Sequence, residues 1–260
     1  MVMSLDHAVR EVRAGALDGL EDAPAEAVLR WGFERFHPRI ALVTAFQAEG
    51  MVLLDMAHRV QPDLRIVTID TGRLPNETYT LIDQIRGRYG VVVEVVFPET
   101  PHVEAMVERH GMNLFFNDPA LRQLCCRVRK GFPLDKALTH FDAWITGLRR
   151  GQNGSRAATS KVAVDDQHGD VIKLSPIADW SREQVWDYIH ANKVPYNTLY
   201  ERGFGSIGCA PCTRAVAPGE PERAGRWWWE PDEEKECGMH SETRSERLEE
   251  ETRWVTGTHR

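Results

Sequence analysis

The five cysteines of this chain fall into a pair, a second pair and a single residue. Cys125 and Cys126 are adjacent, Cys209 and Cys212 form a Cys-x-x-Cys, and Cys237 stands alone in Lys235-Glu236-Cys237-Gly238-Met239-His240. Four thiolates in two groups make a ligand set for tetrahedral zinc or for an iron–sulfur cluster. Neighbouring residues on a helix project about 100° apart. Two such thiolates converge poorly on one ion but can reach two irons of a cubane. The adjacency therefore favours a [4Fe–4S] cluster, with structural zinc as the next reading. Cys237 is then left without a metal role. A non-ligand thiol beside a glycine, with a lysine and a histidine close by, is a candidate nucleophile. Glu230, Asp232, Glu233, Glu234 and Glu236 surround it in sequence. Those carboxylates raise the pKa of a thiol in solution, so activation calls for docking onto a basic site.

Basic residues lie beside the same motifs. Lys130 follows the paired cysteines, Arg149 and Arg150 end an apolar run, Thr213-Arg214 follows Cys212, and Arg223 and Arg226 come next. Guanidinium forks match phosphate and sulfate oxygens. Singly, each is an ordinary solvated cation. Together they point to a doubly anionic ligand.

The elements that must position these groups alternate. Two helices are expected in residues 4–36, the first capped by Ser4 and the second opening at Pro24. Ile40–Thr44, Leu64–Ile69, Val91–Val96, Phe141–Thr146 and Val171–Leu174 read as strands. Helices are expected at about 50–60, at 77–88, after Asn117-Asp118-Pro119, and from Ser181 through Ile189. The pattern implies an α/β fold, a parallel twisted sheet flanked by helices, with ligands at the carboxyl ends of the strands. The loops at 45–50, 70–74 and 147–156 all leave strand ends. Residues 151–169 are rich in Gly, Ser, Asn and Asp and read as a flexible loop over the site. Residues 241–260 read as a charged, solvated tail with some helix. The organisation expected is one domain in three parts: a helical segment at 1–36, a nucleotide-binding α/β unit at 37–208, and a loop-rich cluster-binding and catalytic segment at 209–260.

The totals limit the function classes. Hydrophobic content of 42% and charged content of 27% are ordinary for a soluble globular protein. The net charge of −7 speaks against a nucleic-acid surface, which needs a basic stripe. No apolar run approaches the roughly 20 residues of a membrane span, and the N-terminus lacks the plan of a secretory signal. A cytoplasmic location is expected, where clustered cysteines serve metals or catalysis rather than disulfides.

Cys-Cys-x-x-Arg-Lys, Cys-x-x-Cys-Thr-Arg and Lys-Glu-Cys-Gly-Met-His, in that order, resemble the assimilatory adenylyl-sulfate (APS) reductases of the sulfonucleotide reductase family. Ala-Glu-Gly at 48–50, Ile-Asp-Thr-Gly-Arg-Leu at 69–74 and Ile-Thr-Gly-Leu-Arg-Arg at 145–150 extend the likeness to about residues 35–242. The resemblance implies an adenine nucleotide α-hydrolase-like fold with a modified pyrophosphatase loop. It implies that Cys125, Cys126, Cys209 and Cys212 hold a [4Fe–4S] cluster and that Cys237 is the nucleophile. Lys130, Arg223, Arg226 and His240 would surround the phosphate and sulfate of the substrate, with Arg149 nearby. The turn bearing Ile69, Thr71 and Gly72 would hold adenine, and the 44–50 loop, with Ala48 and Glu49, the ribose-phosphate side. Ala45 stands where the family commonly has serine, which removes a hydroxyl contact.

The implied reaction is attack of Cys237 on the sulfur of APS, giving an S-sulfocysteine, AMP and then sulfite. Residues near Cys237 include no second cysteine to resolve that intermediate, so an external dithiol such as thioredoxin is needed. The 3′-phosphorylated nucleotide PAPS is the alternative substrate. Its reductases typically lack the four cluster cysteines, which favours APS. A related tRNA thiolase or ATP pyrophosphatase would want a fuller glycine loop and a basic surface. A non-enzymatic metal-binding module leaves Cys237 unexplained. A homo-oligomer is allowed for.

Overall fold

The computed structural model describes residues 4–15, 17–230 and 246–257. Three N-terminal helices, α1 (Leu5–Arg13), α2 (Asp18–Glu21) and α3 (Ala25–Phe36), lead into the sheet. There follow β1 (Ile40–Val43), α4 (Ala48–Val60), β2 (Arg65–Ile69), α5 (Asn76–Tyr89), β3 (Val93–Val96) and α6 (Thr100–His110). Then come α7 (Pro119–Cys126), α8 (Phe132–Leu138), β4 (Ala143–Ile145), β5 (Val162–Asp165), β6 (Val171–Leu174), α9 (Arg182–Asn192) and α10 (Glu246–Thr256).

The strands form one sheet in the order β3-β2-β1-β4-β6-β5, parallel except for β5, which runs antiparallel to β6. Successive side chains of a strand face opposite ways, and both faces here are covered. Ile40 and Leu42 join a core with α3, α4 and α9, while Ala41 packs with Leu134, Ala137 and Leu138 of α8 on the other side. Each fully buried Leu, Ile or Phe contributes roughly 1.5–3 kcal/mol, so continuously apolar runs such as Ile40–Val43 settle where both faces are dry. A third core gathers the paired cysteines with Leu114, Phe115, Leu124, Trp227 and Val255, away from the sheet.

Two expectations are corrected. The 151–169 stretch holds strand β5 as well as helical turns. Gly169, the last residue read as loop, and Asp170 make the turn of the β5–β6 hairpin, both at positive φ. The C-terminal residues are no solvated tail: in α10, Val255 is buried and Glu251 meets Arg109 at 3.0 Å and His110 at 2.9 Å. Among the described residues no helix is long and apolar enough to cross a membrane. Residues 209–230 lie back against the sheet domain, with the Ala210 N–H donating to the Arg73 carbonyl and Thr213 bridging to Arg226.

Candidate functional site

The local sequence explains how the cysteines meet. Asp118 caps α7, its carboxylate accepting the Ala120 N–H at 2.7 Å, and Pro119 fills the first helical position. α7 delivers Cys125 and Cys126 in its last turn. The backbone then widens into a π-helical turn at Arg127–Gly131 before α8 begins. Such insertions re-aim side chains at functional sites. Here Arg129 turns to donate to the Thr71 carbonyl at 2.7 Å, and Lys130 faces a cleft. Cys209 and Cys212 come from a short turn stiffened by Pro211 and held by the Cys212 N–H to the Cys209 carbonyl at 3.0 Å. Buried Arg122 grips both oxygens of Glu230 at 3.0 Å and lies over the Trp227 ring, fastening the 226–230 segment onto α7.

Cys125, Cys126, Cys209 and Cys212 are buried free thiols lining one small cavity, together with Arg73, Arg129, Lys130, Arg226 and Trp227. Burial, and then Cys209, push the Cys212 thiol up to about 12, against the pull of Lys130 and Arg226. Burial likewise raises Cys125, against Arg129. Thiols in such a place lose their protons on binding metal. Three buried donors on this cavity, Arg129 Nε, Arg226 Nε and Trp227 Nε1, have no hydrogen-bond partner among the described residues. Buried donors are normally paired, and acceptor sulfurs in the cavity would pair them. No group of three or more His, Cys, Asp or Glu among the described residues is arranged to hold a single metal ion.

A cleft opens beside this cavity at the carboxyl ends of β1, β2 and β4, where the chain order reverses across the sheet. Glu49, Ile69, Thr71, Lys130, Arg223 and Arg226 line it. Lys130 and Arg226 also line the cysteine cavity, and the Thr71 hydroxyl lies 3.2 Å from Cys209 Sγ. One wall thus belongs to both spaces. Gly208 makes room for it: a Cβ there would fall 2.4 Å from the Arg226 guanidinium.

Three other expected residues do not line the cleft. The Ala48 N–H donates to the Tyr200 hydroxyl at 3.1 Å. Gly72 takes the left-handed turn after β2, at φ +69°, with its N–H on Asp70. Arg149 is buried in an ion pair with Glu49 at 2.7 Å and reaches Glu222 at 3.3 Å. Burial and then Glu49 raise the pKa of Glu222, and Arg149 restrains the rise. Glu222, Gln152 and Ser206 line the cleft without having been expected. Nothing in their spacing marks them, although Glu222 is the neighbour of Arg223. Cys237 and His240 lie outside the described residues.

Residues 39–215 match the phosphoadenosine phosphosulfate reductase domain family. The chain is 49% identical over 204 residues to a protein of Agrobacterium fabrum named adenosine 5'-phosphosulfate reductase, covering 78% of this chain and 77% of that one. A Rhizobium meliloti protein of the same name is 46% identical over 202 residues, covering 78% and 76%. The crystal structure of phosphoadenylyl-sulfate (PAPS) reductase from Candida auris, in a phosphate complex, superposes with TM-score 0.65 at 27% identity, covering 83% of this chain and 99% of that one.

Proposed function

The chain belongs to the phosphoadenosine phosphosulfate reductase domain family, and on that premise we propose that it reduces adenosine 5′-phosphosulfate to sulfite and AMP in sulfate assimilation. The observation that carries the reading is the shared wall. Lys130 and Arg226 face the strand-end cleft on one side and four cysteines on the other. The names of the bacterial relatives support APS over PAPS.

In this reading the base lies on the apolar floor made by Ile69, Leu74 and Leu134, and the phosphosulfate lies along Lys130, Arg223 and Arg226. Those cations neutralise the sulfate and stabilise AMP as it leaves. The Cys237 thiolate attacks the sulfate sulfur. The sulfur–oxygen bond to the phosphate breaks, and AMP departs with that electron pair. Cys237 then carries a sulfonate. A thiolate of an external dithiol protein, of the thioredoxin kind, attacks the Cys237 sulfur, and sulfite leaves. The donor's second thiol frees Cys237, so sulfur(VI) falls to sulfur(IV) as the dithiol becomes a disulfide. His240 is assigned to the phosphosulfate beside Cys237.

Cys125, Cys126, Cys209 and Cys212 would hold a [4Fe–4S] cluster, and the unpaired donors of Arg129, Arg226 and Trp227 are fitted to its sulfurs. When bound, the cluster with its four thiolates would carry net negative charge that holds Lys130 and Arg226 in place, and those cations would polarise the sulfate; it need carry no electrons. Sulfite release from APS with a dithiol protein tests the reading. Wild type should be active and Cys237→Ser inactive with its iron and acid-labile sulfide intact. Sulfite production by the Cys237→Ser protein would rule out the scheme.

A further inference from the structure

The π-helical turn that carries Lys130 is tethered twice. The first tether is Arg129, which lines the cysteine cavity and donates to the Thr71 carbonyl at 2.7 Å. The second is Arg127, which lines neither that cavity nor the cleft. Its guanidinium reaches forward to Asp135 of α8 at 2.9 Å and lies over the Phe132 ring, 4.7 Å from the centroid. The pair therefore spans Lys130 in the chain. Gly131 leaves room for the crossing, since a Cβ there would fall 2.8 Å from Arg127 Cδ and 2.9 Å from its Nη1. Asp135 also faces His168, in the turn after β5, at 3.5 Å, and the same ring meets Asp165 at 2.9 Å. Arg127 and Asp135 keep 29% and 34% of their side chains exposed. An ion pair so exposed adds little to global stability. Its consequence is direction. A widened turn departs from the α-helical path, and one residue of helical register is about 100° of rotation. A turn released to relax toward α-helical geometry would swing Lys130 away from the wall between cleft and cysteines.

We propose that Asp135 is a positioning residue for the substrate: by holding Arg127 across Gly131 it fixes the π-helical turn, and with it the aim of Lys130 at the phosphosulfate. This rests on the reading of the cleft as an APS site. Asp135 touches no substrate and acts only through the turn. Its loss is then felt as the loss of one charged hydrogen bond from Lys130, about tenfold in affinity. Because the effect passes through Lys130, it vanishes once Lys130 is gone. A carboxylate that merely supported the fold would weaken binding by the same factor whether Lys130 were present or not.

The test is a double-mutant cycle on the affinity for APS, measured by calorimetry on full-length, cluster-loaded protein. Every protein carries Cys237→Ser, so that APS is not consumed. Asp135→Asn should weaken APS binding about tenfold and keep its iron. In a Lys130→Met background the same substitution should change affinity by less than about twofold. Equal losses in the two backgrounds, or no loss in either, would overturn the proposal. Iron lost from Asp135→Asn would place its role at the cysteines and overturn it as well. Should Asp135→Asn fail to fold, Arg127→Gln carries the same cycle with the same expected and contrary results, and it leaves the His168 side of Asp135 untouched. The Cys237→Ser parent keeps the two readings apart. A parent that binds no APS removes the reading of the cleft and this inference with it. A parent that binds APS, with equal losses in both backgrounds, removes this inference alone.

Discussion

Arg149 leaves a strand end next to the cleft, where a substrate contact was the natural expectation, and instead neutralises Glu49 and Glu222 from behind. Removing one partner of a buried charge set leaves the others uncompensated. Arg149→Met should therefore cost about 3–5 kcal/mol, read as a lower urea midpoint, and a near-neutral result would show the pairing to be dispensable. Gly208 acts by what it lacks. Gly208→Ala should displace the Arg226 guanidinium and lower kcat/KM for APS about 10–100-fold, with iron content retained; unaltered kinetics would remove Arg226 from the account. Asp165 gives a pH signature. Burial pushes its carboxyl up, but the His168 hydrogen bond, Lys173 and the Trp144 indole N–H bring it below the usual range. A folded-state pKa below the unfolded value stabilises the protein at pH values above the unfolded pKa. That stability is lost as pH falls through the folded one. Asp165→Asn should flatten the acid limb of unfolding free energy against pH, and an unchanged slope would contradict the assignment.

Among the elements, the run α7, π-helical turn, α8 decides the geometry of the site. Its start was legible, because Asp118-Pro119 is a helix signal with a mechanism. The widened turn was not, since the contact it makes, Arg129 to the Thr71 carbonyl, joins residues far apart in sequence. The central strands were legible as dry apolar runs. β5 was hidden, because four residues in a Gly-, Ser- and Asp-rich neighbourhood carry too little periodic signal. The grouping of the cysteines, and the cations beside them, could be read from spacing. Which strand-end residue faces the cleft and which faces the core could not, and Arg149 and Glu222 show it. α10 was read as solvated because its apolar residues are few, yet Val255 is buried and Leu248 and Trp254 pack on the cysteine core. A chain ending before Glu246 should lose about 2–4 kcal/mol in urea unfolding, and no loss would mean that α10 contributes nothing to that core.

At the scale of the whole molecule, a net charge of −7 coexists with a local field suited to a dianion. The topology reconciles them. Chain order reverses between β1 and β4, the opening falls at their carboxyl ends, and the π-helical turn and the 208–226 segment bring Lys130, Arg223 and Arg226 to its rim. The cysteine cavity shares that rim, so Lys130 and Arg226 would serve the proposed cluster and the substrate alike. The central claim is that Cys237 takes the sulfonate from APS beside a [4Fe–4S] cluster. The most direct measurement is the intact and native mass of anaerobically purified protein after incubation with APS, without reductant. The account predicts a sulfite-sized addition that maps to Cys237, on a protein whose native mass includes the cluster. A protein that retains the cluster and gains no mass from APS would contradict it.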